Sequence, residues 1–145
     1  MKEKIALDLF KSGLNCAQAV LTTFSEDLHL DSGIAKSVSI GFGGGMGRLQ
    51  ETCGAVTGSF MVLGIYNCQK YADNKIRKDH TYSMIQSFSD RFVSLHGTIN
   101  CKRLLNCDLK TEKGQRFAKE NNLFETICEK CITDSITILE DLMKE

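Results

Sequence analysis

Apolar positions recur at helical spacing along almost the whole chain. Ile5, Leu9 and Phe10 share one side of a first helix, which Ser12-Gly13 would end. Asn15 stands where it can cap a second helix through CAQAVLTTFSEDL, with Ala17, Val20, Leu21, Phe24 and Leu28 apolar. The cluster Asp31-Ser32-Gly33 precedes a third helix through IAKSVSIGF, which glycines break. From Thr52 to Gln69 there are 18 residues without charge. Thr52, Thr57, Ser59, Asn67, Gln69 and two cysteines dilute this run, so it predicts a central buried helix and not a membrane span. Residues 73–96 predict a long amphipathic helix with Ile76, Met84, Ile85, Phe88, Phe92 and Leu95 on one side, ended by His96-Gly97. A short helix around INCKRLLNC follows, then a polar connector through TEKGQR. The last helix, from about Asn122, carries Leu123, Ile127, Cys131, Ile138 and Leu142. No strand-like alternation or internal repeat interrupts this. The expectation is one all-α domain over residues 1–145, a bundle of five to seven helices with a glycine-rich loop before the central one.

Composition narrows the function. Apolar residues make up 42% and charged residues 25%, the balance of a soluble globular domain. The formal net charge of +0 and the lack of a basic tract exclude a dedicated nucleic-acid binder. Asp8 and Lys11 interrupt the apolar stretch at the N-terminus, which is therefore not a signal peptide, and a cytoplasmic location is expected. There the 7 cysteines stay reduced, and an odd number cannot all pair internally. Such a surplus leans toward metal binding or redox chemistry.

Two features carry that chemistry. Gly41, Gly43, Gly44, Gly45 and Gly47 fall within seven residues. They fit neither the dinucleotide fingerprint nor the phosphate loop, because no strand precedes them and no Gly-Lys-Ser/Thr follows. They either turn a sharp interhelical corner or bring backbone amides against a ligand. Cys53 comes next, in the expected first turn of the central helix with Thr52 or Glu51 near its cap. There the helix dipole favours thiolate, and Arg48 would strengthen the effect by folding back. Gly54 and Gly58, four apart, allow a tight helix crossing that would bring another cysteine near Cys53. Cys128-Glu-Lys-Cys131 is a CxxC on a helix, fit for a metal or a disulfide, but no second such pair completes a zinc ribbon. His29, His80 and His96 are scattered and read as surface or helix-end residues.

Cys16 in NCAQAV, the GFGGGMGR loop, CGAVTG from Cys53, CKRLL from Cys101 and a late cysteine before ITDSITIL together resemble the C-GCAxxG-C-C family of small redox-active proteins. The resemblance spans about Cys16 to Leu139. It places the family's four cysteines on Cys16, Cys53, Cys101 and Cys128, leaving Cys68, Cys107 and Cys131 as extras, with Cys131 the rival to Cys128. A similar cysteine-bearing region occurs in the iron–sulfur part of split-Soret cytochromes. The resemblance thus implies a 2Fe–2S or 4Fe–4S cluster on these four thiols, serving electron transfer or redox sensing. Gly43, Gly44 and Gly45 would then offer amides to it, and Arg48 would offset the thiolate charge. Two other readings stay open. One is a thiol–disulfide oxidoreductase with Cys53 as nucleophile and a neighbouring cysteine resolving. The other is a structural zinc site in a helical interaction module. An unidentified redox partner is expected, and the glycine corners and odd cysteine allow a homodimer.

Overall fold

A computed structural model describes residues 1–144. Among them are eight α-helices of five residues or more. These are α1 (Lys2–Lys11), α2 (Cys16–Thr23), α3 (Ser32–Ser39), α4 (Gly54–Lys70), α5 (Asn74–His96), α6 (Cys101–Leu105), α7 (Glu112–Glu120) and α8 (Glu129–Lys144). The all-α expectation holds, with one helix more than foreseen. The extra one is α7, in the stretch expected to be a polar connector. Its starting cap is Thr111, whose side chain accepts from Gly114 N. Gly114 is obligatory there, because a Cβ would meet the Asp108 carbonyl oxygen at 1.6 Å. A glycine that reads as a breaker is instead the residue that lets this helix start pack.

The other caps fall where the side chains dictate. Asn15 caps α2 in a capping box with Gln18, Asp31 caps α3, Asp73 caps α5 and Asn100 caps α6. α2 stops at Thr23, earlier than expected, and residues 24–29 continue as turns. The uncharged run forms α4 at the centre of the bundle, packed on α2, α5 and α8. Among the described residues no helix is long and apolar enough to cross a membrane. Phe24, Phe88, Phe92, Leu21, Leu63, Ile132, Ile136 and Leu139 are the largest fully buried side chains. Each contributes about 1.5–3 kcal/mol by leaving water. The apolar side expected on α5 is buried only in part: Phe88 and Phe92 are fully covered, but Ile76 and Leu95 are 44% and 59% exposed.

Gly54 and Gly58 decide how the bundle closes over the cysteines. A Cβ on Gly54 would lie 3.2 Å from Cys16 Cβ, and one on Gly58 2.9 Å from the Ala17 carbonyl oxygen. With no side chain at either position, the start of α2 presses onto α4. Cys16 is thereby carried alongside Cys53, as the spacing foretold.

Candidate redox site: five thiols around one cavity

Between Gln50 and Lys102 the backbone is arranged in a way the sequence pattern did not announce. Thr52 and Asn100 form an isolated antiparallel bridge. On either side, Cys53 N donates to Ile99 O at 2.8 Å and Cys101 N donates to Glu51 O at 2.7 Å. These bonds fix the two cysteines relative to each other before any side chain acts. Gln50, only 3% exposed, closes the arrangement. Its Nε2 donates to Cys107 O and its Oε1 accepts from Leu109 N, both at 2.8 Å. One amide thus ties the 107–109 loop to the same platform. Sequence reasoning missed Gln50 because a lone glutamine carries no spacing signal.

The glycine segment reaches this platform through a left-handed run. Gly44, Gly45, Met46, Gly47 and Arg48 all have φ between 61° and 70°, and Gln50 has φ 56°. Left-handed backbone costs roughly 1–2 kcal/mol at each L-residue, so Met46, Arg48 and Gln50 store strain that the surrounding bonds must offset. Gly45 is the tightest point. A Cβ there would stand 2.6 Å from Gln50 Cα and 2.7 Å from Cys101 Cβ. Its glycine is the condition for the turn to lie against Cys101.

Five cysteines line one cavity of about 110 Å³: Cys16, Cys53, Cys101, Cys128 and Cys131, with Gly44 and Gly45 among the remaining lining residues. All four cysteines expected from the sequence are brought together. Cys131, expected to be an extra, joins them; Cys68 is exposed on α4, and Cys107 lies outside the cavity. Gly43 and Arg48 do not reach this cavity. A Cβ on Gly43 would strike the Asn15 side chain at 2.6 Å, and Arg48 lies over Gly44 on the outer side. Arg48 therefore does not fold back on Cys53, because its left-handed backbone turns it toward an adjoining groove. Among the described residues, no three His, Cys, Asp or Glu side chains are grouped to hold a single metal ion.

The thiols interact in twos. Cys53 is the N-cap of α4, one position earlier than expected. Its thiol is held below the usual range, chiefly by the Cys131 side chain turned toward it. Burial opposes that shift, and the amides of Ala55 and Val56 support it. Cys131 is pushed up, first by the Cys53 sulfur and then by burial. Cys16 is likewise raised, first by Cys128 and then by burial. Cys101 is pushed up to about 12, mainly by burial. The CxxC is thus split between two partners. The helix passes through a π-helical turn at Phe124–Cys128 and continues without a break into α8 from Glu129. Such turns interrupt regular helical register and recur at functional sites.

His96 corrects another expectation. It does end α5, but its side chain is only 8% exposed and stacks on Phe92 at 4.4 Å between ring centroids. Its Nδ1 lies 4.0 Å from Cys131 Sγ. Its Nε2 stands 2.9 Å from Asp134 Oδ2, at ion-pair distance without the alignment of a hydrogen bond. Asp134, imidazole, Cys131 and Cys53 follow one another in a row.

A family model described as "Putative redox-active protein (C_GCAxxG_C_C)" matches residues 14–142. A protein of Archaeoglobus fulgidus, described as uncharacterized, is 27% identical over 123 residues, covering 79% of this chain and 82% of its own length. No solved structure matches.

Proposed function

The chain belongs to the C_GCAxxG_C_C family of redox-active proteins, and from that premise we propose that it exchanges electrons through its thiols, with Cys53 as nucleophile and Cys131 as the resolving cysteine. The observation that carries this is the Cys53 sulfur at the cap of α4, its thiol held below the usual range beside the Cys131 thiol. Thiolate is the attacking form in disulfide exchange, and the amides of Ala55 and Val56 favour it. Cys131 is raised and keeps its proton until a bond to Cys53 has to be broken. His96 Nδ1, 4.0 Å from that sulfur, is placed to handle the proton. Cys16 and Cys128 form a second pair of thiols at the same cavity.

A second reading is favoured by the cavity itself. A tetrahedral zinc site, with Zn–S bonds of about 2.3 Å, draws its sulfurs close about one ion. Here the sulfurs surround about 110 Å³, room for several atoms, since one water needs only about 10–15 Å³ of such space. The donor set fits an iron–sulfur cluster, with Cys16, Cys53, Cys101 and Cys128 as its holders and Cys131 as alternative to Cys128. The cluster would supply one-electron exchange. In this reading Gly45, against Cys101, keeps the backbone close to the ligating sulfurs.

One preparation separates the two. Protein purified without oxygen is analysed for visible absorption, iron and acid-labile sulfide. It is then oxidised and its disulfides mapped by peptide mass spectrometry. The thiol reading expects a colourless protein in which Cys53 becomes linked to Cys131. Absorption near 400 nm with matching iron and sulfide, and no Cys53–Cys131 link on oxidation, would replace it with the cluster reading.

A further inference from the structure

Next to the thiol cavity lies a second, larger one of about 530 Å³, within the range of small-molecule sites. The two share four lining residues, Asn15, Gly44, Leu109 and Phe124, so they adjoin across a common wall. The side chains that line the larger groove include two cations, Arg48 and Lys119, and no carboxylate. Glu125 and Glu129 face a different depression beyond Phe124, which Lys119 also borders. Among the described residues neither Arg48 nor Lys119 is held in an ion pair. The neutral polar liners are already engaged. Asn15 Nδ2 donates to Ile40 O, and Gln115 Nε2 donates to Leu109 O. What the groove has left to offer is positive charge.

Arg48 is placed there at a cost. Its φ of 63° belongs to the left-handed run, and that run turns its side chain away from the five sulfurs and into the groove. Cys53 is only 7% exposed, and the space in front of it is too small for a folded protein. A disulfide that meets Cys53 must therefore be small and must enter by way of an adjoining space.

Building on the thiol reading above, we propose that the groove of Arg48 and Lys119 seats the carboxylate or phosphate of a low-molecular-weight anionic disulfide, whose sulfurs pass beside Gly44 to Cys53. Cys53 thiolate attacks one sulfur of the substrate. That S–S bond breaks, the first thiolate leaves, and a mixed disulfide forms. Cys131 then attacks the Cys53 sulfur and displaces the second thiol, which takes the Cys131 proton. Two electrons pass from the protein to the substrate, and the protein holds a Cys53–Cys131 bond. Each further turnover uses an external dithiol as reductant.

The test compares three aliphatic disulfides of similar size: dithiodipropionate (anionic), hydroxyethyl disulfide (neutral) and cystamine (cationic). Reduced protein is mixed with each in single turnover, and every rate is divided by the rate of that disulfide with a free small thiol. The anionic probe should lead the neutral one by about tenfold at low salt, with the cationic probe slowest. The lead should shrink at about 1 M salt, where the screening length is only about 3 Å. Arg48→Gln combined with Lys119→Gln should erase it, bringing the anionic probe to the normalised rate that the neutral probe shows in the same variant; circular dichroism verifies the fold. Equal normalised rates for anionic and cationic probes, or a lead that survives the double variant, would overturn the groove assignment. If no probe reacts, although every thiol titrates once the protein is denatured, it is the thiol reading beneath it that falls.

Discussion

Cys16 and Cys53 both stand at the start of a helix, and each faces a cysteine from the far end of the chain. Yet Cys53 is held below the usual thiol range while Cys16 is pushed well above it. The first cause in each case is the partner thiol: the Cys131 side chain lowers Cys53, and the Cys128 side chain raises Cys16. Cys53 is itself the N-cap of α4, and the amides of Ala55 and Val56 point at its sulfur. Cys16 is the first residue inside α2, whose cap is Asn15. The Asn15 side chain already accepts from Gln18 N, so that amide is taken. At the cap position the amides of Ala55 and Val56 add to the lowering that the Cys131 side chain begins. At Cys16 the Cys128 thiol acts first and burial second, and both raise it. The proposed thiol chemistry is accordingly assigned to Cys53 with Cys131, and Cys16 with Cys128 is expected to be dispensable for the first attack.

The comparison breaks most sharply on substitution of the capping sulfur. Cys53→Ser should slow reduction of a small disulfide on the order of a thousandfold or more, as loss of a nucleophile does. Cys128→Ser should leave the first attack, followed by stopped-flow release of substrate thiol, near the wild-type rate. Equal losses in the two variants would show that the pairs are not distinct.

A smaller effect is expected on the platform that holds the inner pair. Gly45→Ala meets both a left-handed φ of 69° and a contact of 2.6 Å with Gln50 Cα. It should cost about 2–4 kcal/mol in urea denaturation. Gly41→Ala, where a Cβ meets nothing within 4 Å, should change stability by less than about 0.5 kcal/mol.

The gentlest test is alkaline titration of stability. Cys16, Cys101 and Cys131 are raised in the folded protein, so each favours folding below its unfolded pKa of about 8.5 and loses that contribution as pH rises toward its folded value, about 12 for Cys101. Cys53 is lowered and acts in the opposite sense, its contribution present above the unfolded pKa and lost as pH falls through the folded one. The four raised thiols, Cys107 among them, should outweigh the one lowered. The thermal midpoint of the reduced protein is thus expected to fall steadily above about pH 8.5, and the fall should lessen in Cys101→Ala. A midpoint that rises with pH would mean that the thiolate of Cys53 dominates the whole cluster.

Much of this protein was legible before any coordinates. Helical periodicity placed the helices, and Asn15 and the Asp31 cluster marked two of the helix starts, because caps and apolar stripes are local physics. The CGAVTG segment marked Cys53 and the close crossing at Gly54 and Gly58. The family resemblance picked out four cysteines that do line one cavity. What tertiary structure alone decided is where each side chain went from there. Cys131 joined the cavity beside Cys128, three residues away on the same continuous helix. Gln50 and the Thr52–Asn100 bridge clamped Cys53 to Cys101, a pairing across about fifty residues that no local pattern encodes. His96 came to rest beside Cys131 through the packing of α5 against α8. Arg48 went outward to the groove and not inward to the sulfurs because five consecutive left-handed residues reversed the chain's direction. Sequence carries short-range preferences; which sulfur gains an amide, an imidazole or another sulfur is fixed only when distant segments are packed together.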